Sequence, residues 1–338
     1  MNEYKHKFIQ KNKLRIFDID AYSLRGKFFF KNIFDYRKKI YRKEKKRIKN
    51  INNFTCNLCG HKKNFQIFLT WKKKYKLIEC FKCGAITANI SHESEKKFID
   101  SVYNNSIYTK KAFTDIFKNY EYRKKVFGLE RYLYCFERLK LSKNSKVLDL
   151  GCGFGYFLSF LKSKKINCKG IEPQKNIALF CKESLNLDVT SNKIDEEKNN
   201  EFKLITLFDV LEHLKNPIEY FRTIYQKLKI GGYCVIYTPN IRSLSYALMG
   251  PDQNTMLPFE HLCFYDKKSI MHLSKKSKFH IYSIETYGFD IMDYFLYKEF
   301  KEKINYVNKL RKFTSVVQSI LDKHQFSNHF RITLKKIK

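Results

Sequence analysis

The stretch "LFDVLEHLKNP", residues 207–217, places an aspartate, a glutamate and a histidine within five positions: Asp209, Glu212 and His213. They follow the apolar run "LITLF", so the cluster reads as the end of a buried strand. Crowded titratable groups at such a point can catalyse, hold a metal or cofactor, or cap the next helix. His213 titrates near neutral pH and is the best candidate for a general base. Glu212 beside it can orient the imidazole or accept the proton itself. His261, in "FEHLCFY", is a second pocket candidate, with a hydrogen-bonded scaffold histidine as the plain alternative.

A second group of residues surrounds a glycine turn. "VLDLGCGFGYF" (147–157) reads as strand, turn and helix start, with Gly151, Gly153 and Gly155. A dinucleotide fingerprint would require a third spaced glycine where Tyr156 stands. Asp149, two residues before the turn, would repel a pyrophosphate but attract a ligand bearing an ammonium and a sulfonium. Glu172, in "GIEP", lies about 20 residues after the loop, where a carboxylate can accept from two ribose hydroxyls. The small glycines permit close backbone approach. Together these residues favour S-adenosylmethionine over NAD.

The third group is cysteine. "CNLCG" and "CFKCG" carry Cys56, Cys59, Cys80 and Cys83 in a C-x2-C-x20-C-x2-C pattern, with glycine after each pair. Both pairs can turn tightly enough for four thiolates to reach one ion, so the expectation is a Zn2+ site. All four ligands are cysteine and no coordination position is left open, which favours a structural role. A redox dithiol and chance spacing are the alternatives.

These residues need a scaffold. From about residue 145 short apolar strands alternate with amphipathic helices: "KVLDL", "GYFLSFLKSK", "CKGIE", "NIALFCKESL", "LDVT", "FKLITLF", "PIEYFRTIYQKL" and "GGYCVIYT". Near-continuous apolar strands predict a parallel sheet covered on both faces, in a doubly wound α/β architecture. "DKKSIMHLSKKS" follows as a helix and "HIYSIETYG" as a strand. A long helical insertion is expected over about 293–324, and "FRITLKK" as a late strand. The expected organisation is a basic lead segment (1–50), a zinc knuckle (51–90), a helical connector (91–140) and an α/β domain (141–338).

Hydrophobic content of 43% and aromatic content of 16% fit a globular chain. No run approaches the roughly 20 apolar residues of a membrane span. The start, "MNEYKHKFIQKNKLR", shows no apolar core of a secretory signal, so a cytoplasmic, reducing compartment is expected. Net charge is +34, which reads either as compositional bias or as attraction to an anionic partner. The first fifty residues hold 17 Lys or Arg against 5 Asp or Glu, dense enough to touch an anionic membrane or polyanion.

"VLDLGCGFGYF", "GIEP" and "LITLFDVLEHLKNP" together resemble the class I S-adenosylmethionine-dependent methyltransferases of the small-molecule group. "GGYCVIYTPN" and "PFEHLCFYDKKSI" resemble their fifth strand and following segment. The resemblance covers about 140–290 and implies a seven-stranded, Rossmann-like sheet. It also implies that Asp149, Gly151, Cys152, Gly153, Glu172, Pro173, Phe208 and Asp209 bind S-adenosylmethionine. Asp195, in "TSNKIDEEK", is a possible adenine contact.

A D-x-x-E-H pattern also resembles quinone-ring O-methyltransferases in which carboxylates and a histidine hold a divalent ion. On that resemblance Asp209, Glu212 and His213 would be ligands. A four-cysteine knuckle ahead of the domain resembles enzymes acting on nucleotide-linked sugars and surface-polysaccharide precursors. In that group the zinc module and following helices wall the substrate pocket, and "YNNSIY" (103–108) resembles a tyrosine-bearing segment. Sugar C-methyltransferases among them carry a further large C-terminal domain, and the chain ends before one, so an O- or N-acceptor stands equally open. The expected function is methyl transfer to a small, anionic carbohydrate-type metabolite. An rRNA guanine-methylating group with a zinc knuckle supplies the second reading, RNA methylation. A non-catalytic cofactor-binding scaffold is the third.

Overall fold

The computed structural model describes residues 19–91 and 119–338. The first eighteen residues and most of the first half of the expected connector, with the "YNNSIY" segment, lie outside the described residues.

Eleven strands are present among the described residues. They are β1 (Phe65–Trp71), β2 (Tyr75–Cys80), β3 (Ile86–Ala88), β4 (Val147–Leu150), β5 (Cys168–Ile171), β6 (Val189–Thr190), β7 (Phe202–Phe208), β8 (Leu228–Pro239), β9 (Cys263–Phe264), β10 (His280–Thr286) and β11 (His329–Lys335). Seven of them form the main sheet in the order β10-β11-β8-β7-β4-β5-β6. β6, β5, β4, β7 and β8 run parallel. β11 is antiparallel to β8, and β10 is antiparallel to β11. This is the expected doubly wound sheet. β4 is buried along its whole length and β7 at all but one position, as strands covered on both faces must be.

Strand order reverses between β4 and β7, whose last residues Leu150 and Leu207 are register partners. Doubly wound sheets bind ligands in the crevice beyond such a reversal. Here the glycine turn and Asp209 leave adjacent strands into that crevice. Gly155, with φ +70°, ends the turn and starts the helix Tyr156–Ser163.

Two features depart from the periodicity. The insertion is two helices, Asp290–Glu302 and Tyr306–Lys323. They separate where Lys303 turns left-handed (φ +61°) and the Asn305 side chain caps the second helix by accepting from the Asn308 N–H. The helical stretch 120–138 is α-helical only over Tyr120–Arg123 and Leu129–Tyr132, with wider π turns at Lys124–Gly128 and Leu133–Arg138.

The cysteine segment builds a second, four-stranded sheet in the order β1-β2-β3-β9. Its last strand, β9, comes from the α/β region. Cys56, Cys80, Cys83 and Ala85 pack in one apolar core with Leu207, Ile236, Cys263 and Tyr265. A small ribbon buries too little surface to hold itself together, and this one gains its core by docking.

The described part of the basic lead segment also docks. The helix Phe29–Glu44 sets Phe30 edge-on to Tyr297, ring centres 5.4 Å apart. Three of its neighbourhood's arginines turn inward: Arg25 pairs with Asp293 at 2.9 Å, Arg37 bonds the carbonyls of Pro251 and Gln253, and Arg47 pairs with Glu44 at 3.4 Å. Those cations serve packing. Among the described residues no helix is long and apolar enough to cross a membrane.

Candidate active site

The glycine turn is shaped by its backbone. Gly151 has φ +64°, and a Cβ there would lie 2.5 Å from Val210 Cγ2. Only glycine meets both constraints without strain. At Gly153 (φ +51°) an added Cβ would meet nothing within 4 Å, so the turn presents open backbone to the crevice. Asp149 is buried beneath it, and its Oδ1 accepts from the Thr206 hydroxyl at 2.6 Å. Burial raises this carboxyl to about 6, against the pull of Thr206 and the Arg131 guanidinium.

Glu172 follows β5. Its carboxylate accepts the Gly153 N–H and the Gln174 N–H, both at 2.9 Å, tying the turn to the second strand. Each oxygen keeps a further lone pair, in keeping with a ribose contact. Cys152 lies between these groups and is half-buried. Asp195 is turned toward the helix Pro217–Lys227, accepting from the Thr223 hydroxyl at 3.4 Å.

Asp209 ends β7 in a left-handed conformation, φ +60°, rare for a residue other than glycine and typical of functional turns. Its side chain keeps about half its surface open (52%), and Oδ1 lies 3.1 Å from His329 Nε2. Partial enclosure works upward on its pKa, but the His329 imidazole and the Arg131 guanidinium prevail and hold it at about 2. Arg131 is stacked on Phe208, its guanidinium carbon 3.9 Å from the ring centre.

Glu212 and His213 sit on the short 3-10 turn Leu211–His213. Glu212 is fully buried. Its Oε2 accepts from the Thr238 hydroxyl at 2.8 Å, while its Oε1 is buried without a hydrogen-bond partner. Burial pushes this carboxyl well above its ordinary range, and the nearby Asp209 charge adds to the effect.

His213 donates Nδ1–H to the Glu260 carbonyl at 3.0 Å, which leaves Nε2 as the basic nitrogen. Burial lowers its pKa to about 4, against the pull of Glu260 and Asp209. His261 packs edge-on against it, ring centres 4.7 Å apart. The Nε2 atoms of His213 and His261 lie 4.0 and 3.9 Å from Glu212 Oε1. One donor atom each from Glu212, His213 and His261 fall within 4.8 Å of one another. The sequence reading grouped Asp209 with Glu212 and His213. The described geometry pairs Asp209 with His329 and brings His261 into the trio instead.

The four module cysteines also converge, with all four sulfurs within 4.8 Å of one another. Cys56 and Cys83 sulfurs are 3.5 Å apart and Cys59 and Cys80 sulfurs 3.7 Å. Tetrahedral zinc with bonds of about 2.3 Å demands sulfur–sulfur edges of about 3.8 Å, so the arrangement fits. All ten cysteines are free thiols. This module abuts the histidines: Asn57 Nδ2 donates to the Leu214 carbonyl at 2.7 Å, and Leu262, on the same loop as His261, donates its N–H to the Glu212 carbonyl at 2.8 Å.

A family model described as "Methyltransferase domain" matches residues 108–284, more than half of the chain. The chain belongs to this methyltransferase family. The resemblance to the class I S-adenosylmethionine-dependent enzymes is thereby borne out. A ubiquinone biosynthesis O-methyltransferase from Rickettsia typhi is 26% identical over 126 residues, 34% of this chain and 51% of that protein. Phosphoethanolamine N-methyltransferase 1 of Arabidopsis thaliana is 29% identical over 117 residues, 32% of this chain and 24% of that protein. Among solved structures, a SAM-dependent methyltransferase from Archaeoglobus fulgidus aligns with TM-score 0.41 and 19% identity, covering 61% of this chain and 99% of that one. The chain spans about half the length of the ubiquinone O-methyltransferases it matches.

Two residues beside the candidate site were not singled out in the sequence, Arg131 against Phe208 and His329 against Asp209. Arg131 carries no sequence signal beyond being one of many basic residues. His329 lies at the head of the last strand and reaches Asp209 only because β11 inserts beside β8. Its one sequence signal was a histidine starting an apolar run.

Proposed function

We propose that this chain is an S-adenosylmethionine-dependent methyltransferase that acts on a hydroxyl of a small, anionic acceptor. The cofactor supplies both the methyl group and the leaving group. Asp149, Gly151, Cys152 and Gly153 receive its amino-acid part, Glu172 and Pro173 its ribose, and Phe208 and Asp209 border the methyl. Arg131, stacked on Phe208 beside two carboxylates, is positioned for the cofactor's own carboxylate.

The observation that carries the hydroxyl reading is His213. It is neutral at pH 7, with its tautomer fixed by Glu260 and its Nε2 basic. A hydroxyl must lose a proton as it is methylated, and a neutral imidazole can take it. Glu212, with no exposed surface, positions the turn and does not touch the acceptor. The O-methyltransferase named among the relatives supports this reading.

The cysteines hold one structural Zn2+ in a module over about 51–90, ahead of a catalytic domain over about 141–338. The module braces the loops carrying His213 and His261. Its pattern favours a nucleotide-linked sugar or surface-polysaccharide precursor as acceptor. A second reading rests on the orphaned Glu212 Oε1: Glu212, His213 and His261 would hold a divalent ion, with mixed oxygen and nitrogen ligands, that binds acceptor oxygens.

Methyl-labelled cofactor incubated separately with nucleotide sugars, phenolic lipids, phosphoethanolamine and RNA tests the proposal. Label in a nucleotide sugar supports it. Label confined to RNA, with binding that collapses in salt, replaces it with RNA methylation. Metal analysis of a Cys59→Ser protein separates the two metal readings, since only the histidine site would keep an ion.

A further inference from the structure

The helix Tyr306–Lys323 exposes an apolar stripe while burying polar side chains. Its buried side includes Gln318 and Ser319 as well as Val307 and Leu321. Gln318 is wholly engaged there: its amide nitrogen donates to Asp290 Oδ2 at 2.9 Å, and its oxygen accepts the Ile291 N–H at 3.0 Å. The outward side carries Phe313, Val316, Val317 and Ile320, which are 50%, 48%, 38% and 51% exposed. Their spacing of three, four and seven places them on one stripe of the helix. Among the described residues this apolar stripe is left open to solvent.

Charge selects the occupant. At 100° per residue, exposed Lys312 and Lys323 fall along one margin of the stripe, and exposed Lys309 lies within it one turn before Phe313. A second copy of a chain carrying +34 would bring like charge against this margin. Nucleic acid would meet the lysines but leave four apolar side chains in water. An anionic lipid surface satisfies both halves, with headgroups at the lysines and acyl chains at the stripe. The helix is too polar to cross a bilayer, so a membrane contact through it would be interfacial.

We propose that Tyr306–Lys323 is an interfacial docking helix that seats the protein on anionic membranes. The contact sits on the insertion between β10 and β11 and is separate from the basic lead segment, where Arg25, Arg37 and Arg47 are committed internally while Lys27, Lys31, Lys38 and Lys39 stay exposed. This inference is independent of the acceptor's identity.

The test is co-sedimentation of the full-length protein with phosphatidylcholine vesicles, with and without phosphatidylglycerol. Binding is expected only to the anionic vesicles, and is expected to weaken as salt rises to about 0.5 M. Phe313→Ser combined with Ile320→Ser should lower the partition coefficient by about tenfold or more, through lost apolar burial. Replacing the three lysines with glutamine should cost a similar factor, on the order of tenfold or more. A Phe313→Trp protein should show a blue-shifted emission with anionic vesicles, which checks the contact without removing apolar surface. Unchanged binding by the serine variant, or no emission shift, overturns the proposal. So does a dimer in light scattering that the serine variant abolishes, which would assign the stripe to a second copy.

Discussion

At the scale of single residues, the site is organised by which carboxyl keeps its charge. Asp209, beside His329, is held anionic, while burial raises the proton affinity of Glu212, which faces Thr238. His213, with its pKa lowered to about 4, stays neutral with Nε2 unprotonated. His213→Ala is therefore expected to lower kcat by about 10²–10⁴-fold while leaving cofactor affinity intact. Calorimetry beside steady-state kinetics checks this, and an unchanged kcat would remove the base role. Asp149 gives a second prediction. Its folded pKa of about 6 exceeds its ordinary 3.8, chiefly through burial. Folding thus takes up a proton between these values. The cofactor-free protein is relieved of the charge at low pH and loses up to about 3 kcal/mol as pH climbs from about 4 to about 6. A cofactor ammonium reverses the preference, since it needs the anion. Affinity should be flat above about pH 6 and fall by up to about tenfold per unit below it. Asp149→Asn should abolish that dependence, as titration calorimetry across pH would show.

At the scale of elements, two turns and one module place these groups. Gly151 combines a left-handed φ with a Cβ position 2.5 Å from Val210 Cγ2. Gly151→Ala should destabilise the fold by about 2 kcal/mol or more. Adding Val210→Ala should recover only the steric share, which denaturant titration of the single and double variants would separate. The cysteine module acts on the site through its neighbours. Asn57 holds the Leu214 carbonyl, and β9 continues from the loop that carries His261. Zinc removal or Cys59→Ser should cost more than about 3 kcal/mol of stability. It should also reduce methyl transfer through the loops that carry His213 and His261. Full activity in a zinc-free protein with an unchanged melting temperature would detach the module from the site.

At the scale of the whole molecule, the net charge of +34 divides into cations used for packing and cations left at the surface. Arg331 is the extreme internal case, paired with Glu130 at 3.0 Å and Glu285 at 2.9 Å among tyrosine rings. Removing its charge with Arg331→Met would strand buried Glu130, a loss of about 3–5 kcal/mol. Thermal melts of Arg331→Met against Arg331→Met with Glu130→Gln would show the second change restoring part of that loss. Surface lysines, in contrast, matter for partners and for salt dependence rather than for the fold.

The sequence by itself determined the order of strands and helices, the glycine turn and the cysteine pairs, because each is a local pattern of period, turn chemistry or ligand spacing. "KVLDL", "GCGFG" and "CNLCG" carry those signals within a few residues. It also set Asp209 at the cofactor edge and Glu212 with His213 on the acceptor side. Their actual partners needed the tertiary structure. Asp209 turns left-handed toward His329 on the inserted strand β11, while Glu212 faces inward to Thr238 and His261. Proton affinities at such a site follow burial and neighbouring charge, which are properties of three-dimensional placement. The break in the insertion at Lys303 and the exposed stripe of its second helix were likewise decided only in the fold. Periodicity shows that a helix has an apolar face, but only packing shows whether that face is covered.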